Sequence, residues 1–311
     1  MTSIATSPTD GGALYEELRP LMMSISYRML GSVAEAEDVV QEAFIRLAQA
    51  IADGTRIESP KAYLATVTTR LAIDQLRSAR VRREAYVGPW LPEPLVTDTE
   101  PDVAELAEMS DSLSMAFLVL LESLSPTERA VFLLREVFGY EYAEIAEIVE
   151  KSEANCRQIF VRARRAIDAG KPRFESSREQ RDELGRRFVA AIEQGDLDGL
   201  VELLAADAVW HADGGGKTKA ASRPVYGRDH IRKLLRNIFA QGYRVGASVR
   251  AVEVNGAPGA MTLDAEGRIV SVLVAEVADG AVQAVRSVVN PDKLGHLGET
   301  SPLALRPPPV R

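Results

Sequence analysis

Arg157, Arg162, Arg164 and Arg165, with Lys151 and Lys171, crowd into KSEANCRQIFVRARRAIDAGK, residues 151–171, against only Glu153 and Asp168. Guanidinium groups at that density suit phosphate oxygens, where each contact adds affinity and salt sensitivity. Glu153, Asn155, Arg157 and Gln158, at the N-terminal end, are types that reach base edges, each good pair discriminating by about 1–3 kcal/mol. The window equally fits a solvated helix face, since Arg and Lys are strong helix formers. A second set, His211, Asp213, Tyr226, Asp229 and His230, has the titratable types of acid–base catalysis. Nearness in sequence does not make them converge, and a histidine more often satisfies a local hydrogen bond. His211, His230, His296 and the single Cys156 show no metal-ligand spacing, so no metal and no cofactor is expected. DGGGKT at 213–218 ends like a phosphate loop, but His211 stands where that motif needs its first glycine. Ser222-Arg223-Pro224 also interrupts the helix that should follow. Three consecutive glycines suit instead a tight loop that carries Asp213 and Lys217.

The elements that position these residues divide the chain. From Ala13 to Gln49 apolar residues recur at helical spacing, and Ala13 to Gly170 reads as all-helical in two lobes. Gly31-Ser32 separates two helices, with Ser32 as N-cap, and Pro60 opens a third whose second half is basic. Tyr86 to Asp111 carries four prolines and seven acids with no Lys or Arg, a linker composition. Ser125-Pro126 with Glu128 has capping-box spacing and Gly139 ends that helix. YAEIAEIVE and SEANCRQIFVRARRAI then form two helices across a turn of about three residues. Ile145, Ile148 and Val149 can pack on Cys156, Ile159 and Phe160, which is helix-turn-helix logic with the basic helix entering the major groove. Cys156 falls on the inward face as a small core residue. After Pro172 a helix, DELGRRFVAAIEQGDLDGLVELL, precedes five alternating segments punctuated by glycine, with a helix at about 229–240 among them. That is a separate α+β domain.

The 311 residues, 46% hydrophobic, predict two or three globular domains, and a net charge of -8 argues against the whole chain coating nucleic acid. No apolar run approaches the roughly 20 residues of a membrane span, and no signal peptide is legible at the N-terminus. One cysteine excludes an internal disulfide and fits a reducing compartment, so no membrane association and a cytoplasmic location are expected.

LGSVAEAEDVVQEAFIRLAQA and LSPTERAVFLLREVFGYEYAEIAEIVEKSEANCRQIFVRARRAI resemble domains 2 and 4 of extracytoplasmic-function sigma factors, in the right order. The chain departs from that pattern at Tyr63, Arg70 and Glu150, where tryptophan, asparagine and glycine are frequent. Residues from about 178 to 290 resemble the SnoaL-like cone-shaped barrel. WLPEP at 90–94, DGGGK at 213–217 and NPDKL at 290–294 together resemble the sigma-factor subgroup with a fused SnoaL-like extension. The resemblance implies a multidomain chain of two all-α sigma domains, 1–85 and 113–172, joined by a linker at 86–112. The α+β barrel follows, and then a tail at 291–311 whose end is expected to be disordered.

The resemblance also implies roles. Asp38, Gln41, Glu42 and Phe44 face the clamp of RNA polymerase core, made of the beta and beta-prime subunits. Tyr63, Arg70, Arg77, Arg80, Arg82 and Arg83 engage the −10 element of promoter DNA. Glu153, Asn155, Arg157, Gln158, Arg162, Arg164 and Arg165 engage the −35 element. Trp90, Leu91, Pro92, Glu93 and Pro94, with Asp213, Gly214, Gly215, Gly216 and Lys217 and with Asn290, Pro291, Asp292, Lys293 and Leu294, make regulatory interdomain contacts. The acids Asp98, Glu100, Asp102, Glu105, Glu108 and Asp111 mimic nucleic acid in the polymerase or merely solubilise a linker. A small molecule is a candidate ligand of the barrel. The expected function is promoter-specific initiation by a non-enzyme, restrained or assisted by the barrel in cis. The residues alone also leave open a ligand-responsive repressor and a barrel enzyme fused to a DNA-targeting module.

Overall fold

The computed structural model describes residues 10–84, 86–96, 112–170, 177–244 and 246–304. The chain folds into two compact units: residues 1–81 with 121–169, and residues 82–120 with 170–311.

The first unit is all helical. α1 (Asp10–Leu30) ends at Gly31, whose φ of 67° and amide bond to the Tyr27 carbonyl close a left-handed turn. Ser32 then caps α2 (Val33–Ala52), its hydroxyl accepting the Glu35 amide at 3.2 Å. Val33, Ala36, Val39, Val40, Ala43 and Leu47 make the buried stripe of α2. α3 (Pro60–Glu84) begins at its proline and buries Leu64, Ala65, Thr68, Ala72, Ile73 and Leu76. α4 (Met115–Leu121) belongs with the second unit up to Leu120; in the first unit the chain resumes with α5 (Pro126–Phe132), where Ser125 and Glu128 form the expected capping box. α5 runs on as a π-helical turn, Leu133–Val137, before Gly139. α6 (Tyr142–Val149) and α7 (Glu153–Gly170) are the helix-turn-helix pair.

Two arginines are buried in this unit without any sequence signal. Arg129 donates to the Met29 carbonyl at 2.7 Å and the Leu121 carbonyl at 2.6 Å, and pairs with Glu122 at 2.9 Å. It therefore ties α1 to the segment that leads into α5. Arg28, fully buried, bonds the carbonyl and hydroxyl of Ser24 and lies 5.7 Å from the Phe138 ring centre. Burial lowers its guanidinium to about 10.

In the second unit the helix read at 182–204 is two helices. α8 (Arg178–Gln194) stops at Gly195, with φ 68°, and Asp196 caps α9 (Leu197–Glu202) by accepting the Gly199 amide at 2.9 Å. A six-stranded mixed sheet follows in the order β2-β1-β6-β5-β4-β3. It comprises β1 (Leu204–Asp213), β2 (Val225–Tyr226), β3 (Ser248–Val254), β4 (Ala257–Leu263), β5 (Ile269–Ala278) and β6 (Ala281–Val288). β1 pairs parallel with β6 and the other neighbours are antiparallel. α10 (Arg228–Arg244) lies between β2 and β3. The two-residue β2 is too short for any periodicity to announce it.

Alternation along the strands builds two cores. One face carries Trp210, Ala212, Leu273 and Val285 against Phe188, Leu200, Ile231 and Leu235 of α8, α9 and α10. The opposite face carries Val252, Val254, Met261, Val272, Val274 and Val288. Leu91 and Val96 of the linker, Met115 of α4 and Leu294 cover it. By packing, the first stretch of linker belongs with the sheet.

Candidate nucleic-acid interface and linker clasp

α7 divides cleanly into two faces. Cys156, Ile159, Phe160, Ala163 and Ile167 are buried, and Phe160 packs beside Phe132 and Tyr142. Burial pushes the Cys156 thiol up, as expected of a core residue. The opposite face presents Arg157, Gln158, Arg162, Arg164 and Arg165 to solvent, with Asn155 half-buried. Ser152 caps the helix by accepting the Asn155 amide at 3.3 Å. Arg157 pairs with Glu153 at 2.6 Å and lies 5.1 Å from the Tyr142 ring centre. Arg162 reaches Glu128 at 3.7 Å, and Arg164 reaches Asp168 at 3.9 Å and Glu136 at 4.0 Å. The Arg157 and Arg164 pairs are exposed and therefore weak, and Arg162 meets a half-buried Glu128 only at long range, so the cations can be exchanged for phosphate at little cost. The predicted contact residues thus share one helix face.

The turn holding α7 carries an unexpected side chain. Glu150 caps α6 in the left-handed region, φ 55° and ψ 51°, where a glycine would sit without strain. Its carboxylate pairs with Arg70 of α3 at 3.1 Å. Arg70 also donates to the carbonyls of Ile148 at 2.9 Å and Glu147 at 2.8 Å, capping the negative end of α6. The structure therefore places Arg70 on the helix-turn-helix, where it is engaged by protein. Arg77 pairs with Asp74 at 2.9 Å on an exposed part of α3, and the Tyr63 hydroxyl lies 3.5 Å from the Arg46 carbonyl. The side chains of Arg80, Arg82 and Arg83 lie outside the described residues.

On α2, Asp38 and Gln41 are exposed, and Glu42 pairs with Arg46 at 2.8 Å. Phe44 is half-buried against Tyr15, ring centres 4.7 Å apart, so much of it serves the α1–α2 contact.

In the second unit the three short strings meet. Asp213, at the end of β1, is fully buried and pairs with Lys293 at 2.7 Å. Lys293 also donates to the Leu91 carbonyl and lies 4.1 Å from the Trp90 ring centre and 5.0 Å from that of Tyr86. Asp213 accepts the Leu91 amide at 2.7 Å and the Tyr86 hydroxyl. Burial, and then the hydrogen bond and charge of Asp213, push the Tyr86 phenol up from its ordinary range. Asn290 donates to the same hydroxyl at 2.8 Å, and its own carbonyl oxygen caps a short turn at the Asp292 amide. Lys217 pairs with Asp292 at the surface. Pro92, Glu93 and Pro94 are all buried.

Two of the three glycines of DGGGK lie close against Asn290 and the linker. Gly215 and Gly216 have φ of 56° and 73°. A Cβ on Gly215 would run into the Asn290 amide and stand 2.9 Å from the Tyr86 hydroxyl; one on Gly216 would stand 3.0 Å from Val87. Three residues that sequence reasoning missed complete the clasp. Asn255 accepts the Leu95 amide at 3.1 Å through its side chain, gives its own amide to the Leu95 carbonyl at 2.8 Å and donates to Leu113 at 3.0 Å. His296 bonds the Pro94 carbonyl at 2.9 Å, and Tyr86 bridges Asp213 and Asn290. Asn255-Gly256 reads as an ordinary hairpin dipeptide, and nothing in it signals a second task. The acids at 98, 100, 102, 105, 108 and 111, and the tail from 305, lie outside the described residues.

The titratable set does not assemble into one site. Asp213 is spent on Lys293, and His211 stands beside the Arg286–Glu276 pair on the linker-facing side of the sheet. Burial, and next the Arg286 charge, lower its imidazole. His230 bonds the Tyr226 carbonyl at 3.0 Å in an exposed position. Among the described residues no three His, Cys, Asp or Glu side chains group as metal ligands, and no helix is long and apolar enough to cross a membrane.

Residues 14–82 match the family model described as Sigma-70 region 2, 114–167 that of Sigma-70, region 4, and 185–289 that of the SnoaL-like domain. The chain is 39% identical over 293 residues to the ECF RNA polymerase sigma factor SigJ of Mycobacterium tuberculosis, covering 90% of this chain and 91% of the relative. It is 36% identical over 196 residues to the probable ECF RNA polymerase sigma factor SigI of the same species, covering 62% and 66%. A crystal structure of M. tuberculosis SigJ superposes with a TM-score of 0.72 at 37% identity, covering 94% of this chain and 99% of that one.

Proposed function

Since the chain belongs to the extracytoplasmic-function RNA polymerase sigma factors, with a SnoaL-like C-terminal domain, we propose that this domain controls promoter initiation in cis through its hold on the linker. As a sigma factor the chain binds core polymerase and promoter DNA through regions 2 and 4, and it acts as a regulator rather than as an enzyme. The finer assignments are part of the proposal. Asp38, Gln41, Glu42 and Phe44 face the core. Arg77 with Arg80, Arg82 and Arg83 tracks the −10 strands, and the outer face of α7 enters the −35 major groove. Arg70 joins the −10 set only after leaving α6. The protein works in the cytoplasm.

The observation that carries the regulatory reading is the buried Asp213–Lys293 pair, which grips the linker at Leu91 and stacks on Trp90. A residue pair at the heart of one domain that spends its bonds on an interdomain linker couples that domain's stability to the linker's path. A small molecule, if the barrel takes one, acts by altering the same grip.

The test is abortive transcription with purified core polymerase, comparing the full chain with Lys293→Met. Core-dependent initiation that changes by severalfold in the variant supports control through the linker. Equal initiation by both forms would overturn it. Absence of initiation by either, with duplex binding retained, would favour a repressor.

A further inference from the structure

On the exposed face of α7 one side chain is of the wrong kind for a solvated surface. Val161 is 46% exposed and lies one helical turn beyond Arg157 and Gln158 and directly before Arg162. Together the four line a shallow, open depression on the helix surface. Valine is a weaker helix former than the Arg, Lys, Gln or Glu that would serve solubility there, so helix stability does not account for it. Its buried neighbours are on the other side of the helix, so core packing does not either.

The surrounding side chains indicate what the methyls face. Arg157 carries a fork of donors and Gln158 a donor–acceptor pair, both of which suit purine edges, and Arg162 suits a phosphate. In a major groove read by such a face, the apolar feature available to a valine is the 5-methyl group of thymine. A β-branched side chain has one strongly preferred χ1 in a helix, so it loses little freedom on contact. We infer that Val161 reads a thymine methyl in the −35 element. This rests on the promoter-binding reading above and adds a specificity determinant to it.

The contact buries one methyl group on each side. At about 0.8 kcal/mol per buried CH₂, removing either methyl lowers affinity roughly fourfold. Because Val161 is exposed, Val161→Ala leaves the fold unchanged and is a clean partner for the test.

The experiment selects duplexes from a randomised pool with holoenzyme made of the full-length chain and core polymerase. Each thymine of the enriched −35 site is then replaced by uracil, which deletes only the methyl. The expected result is one thymine whose replacement costs the parent protein roughly fourfold and costs Val161→Ala nothing, with Val161→Ala itself weaker on the thymine duplex by a similar factor. An enriched site with no uracil-sensitive thymine, or one whose sensitivity Val161→Ala retains, overturns the contact while leaving promoter binding intact. Failure to enrich any −35 site overturns both, and so separates the two readings.

Discussion

Replacing Lys293 by methionine keeps the length of the stem and deletes its charge, which isolates the ion pair at the centre of the clasp. Asp213 is fully buried and the Lys293 side chain is 9% exposed, so neither charge is well served by water. Removing one partner of a buried pair costs about 3–5 kcal/mol, because the other is left uncompensated. Here the Leu91 amide and the Tyr86 hydroxyl still hydrogen-bond the carboxylate, which puts the expected loss near the lower end, about 3 kcal/mol. Domains hold together by about 5–15 kcal/mol, so the variant folds but unfolds earlier. With a urea slope of about 1–3 kcal/mol/M, the midpoint moves down by roughly 1–3 M. The transition is followed by far-ultraviolet dichroism and by the fluorescence of Trp90, which loses the cation over its ring. The companion Asp213→Asn/Lys293→Met removes both charges and recovers much of the loss, giving a coupling energy of about 2 kcal/mol or more. A single variant within about 1 kcal/mol of the parent, or a double variant whose losses simply add, would refute the claim that the pair organises the linker.

Three further outcomes are expected. Glu150→Gly removes an ion pair whose carboxylate is 73% exposed, and so worth at most about 1 kcal/mol, while relieving left-handed backbone strain of about 1–2 kcal/mol. Its urea midpoint is unchanged or higher; a loss above about 1 kcal/mol would mean that the Arg70 contact carries far more than an exposed pair does. Gly215→Ala pushes a methyl into Asn290 and Tyr86 at a positive φ, so limited proteolysis cuts the 86–96 segment faster than in the parent. Unaltered cleavage would argue that the loop yields freely. For Tyr86, the raised folded value means that the protonated phenol is favoured by folding: its contribution is fully present below about pH 10, the unfolded value, and is lost as the pH rises further. Tyr86→Phe therefore flattens the alkaline limb of a stability–pH curve, and an equally steep limb in the variant would place its cause elsewhere.

What could be read from sequence and what could not differ by the range of the interaction. Ser32, Ser125 with Glu128, Pro60 and the apolar stripes of α2 and α7 act within a turn or two, so their elements appear where spacing puts them. The helix at 182–204 divides at Gly195 because Asp196 can cap a new start, a local competition that apolar periodicity alone does not weigh. The buried arginines, Arg28 and Arg129, read as surface residues until the carbonyls that receive them are in place. The exposed basic face of α7 is legible because its members recur along a single helix, whereas the clasp draws on Tyr86, Asp213, Asn255, Lys293 and His296 from four separated segments.

Arg70 and Glu150 make the same point from two single departures. Each departs from the family's pattern, and read separately neither points to the other. In the structure they are partners, with the arginine also capping the helix that the glutamate ends. A guanidinium that suits DNA phosphates suits the carbonyl end of α6 for the same reason, an excess of negative potential. The contact that holds α3 to the helix-turn-helix thus occupies a side chain whose chemistry also suits a phosphate, and the −10 role proposed above for Arg70 requires that contact to break first.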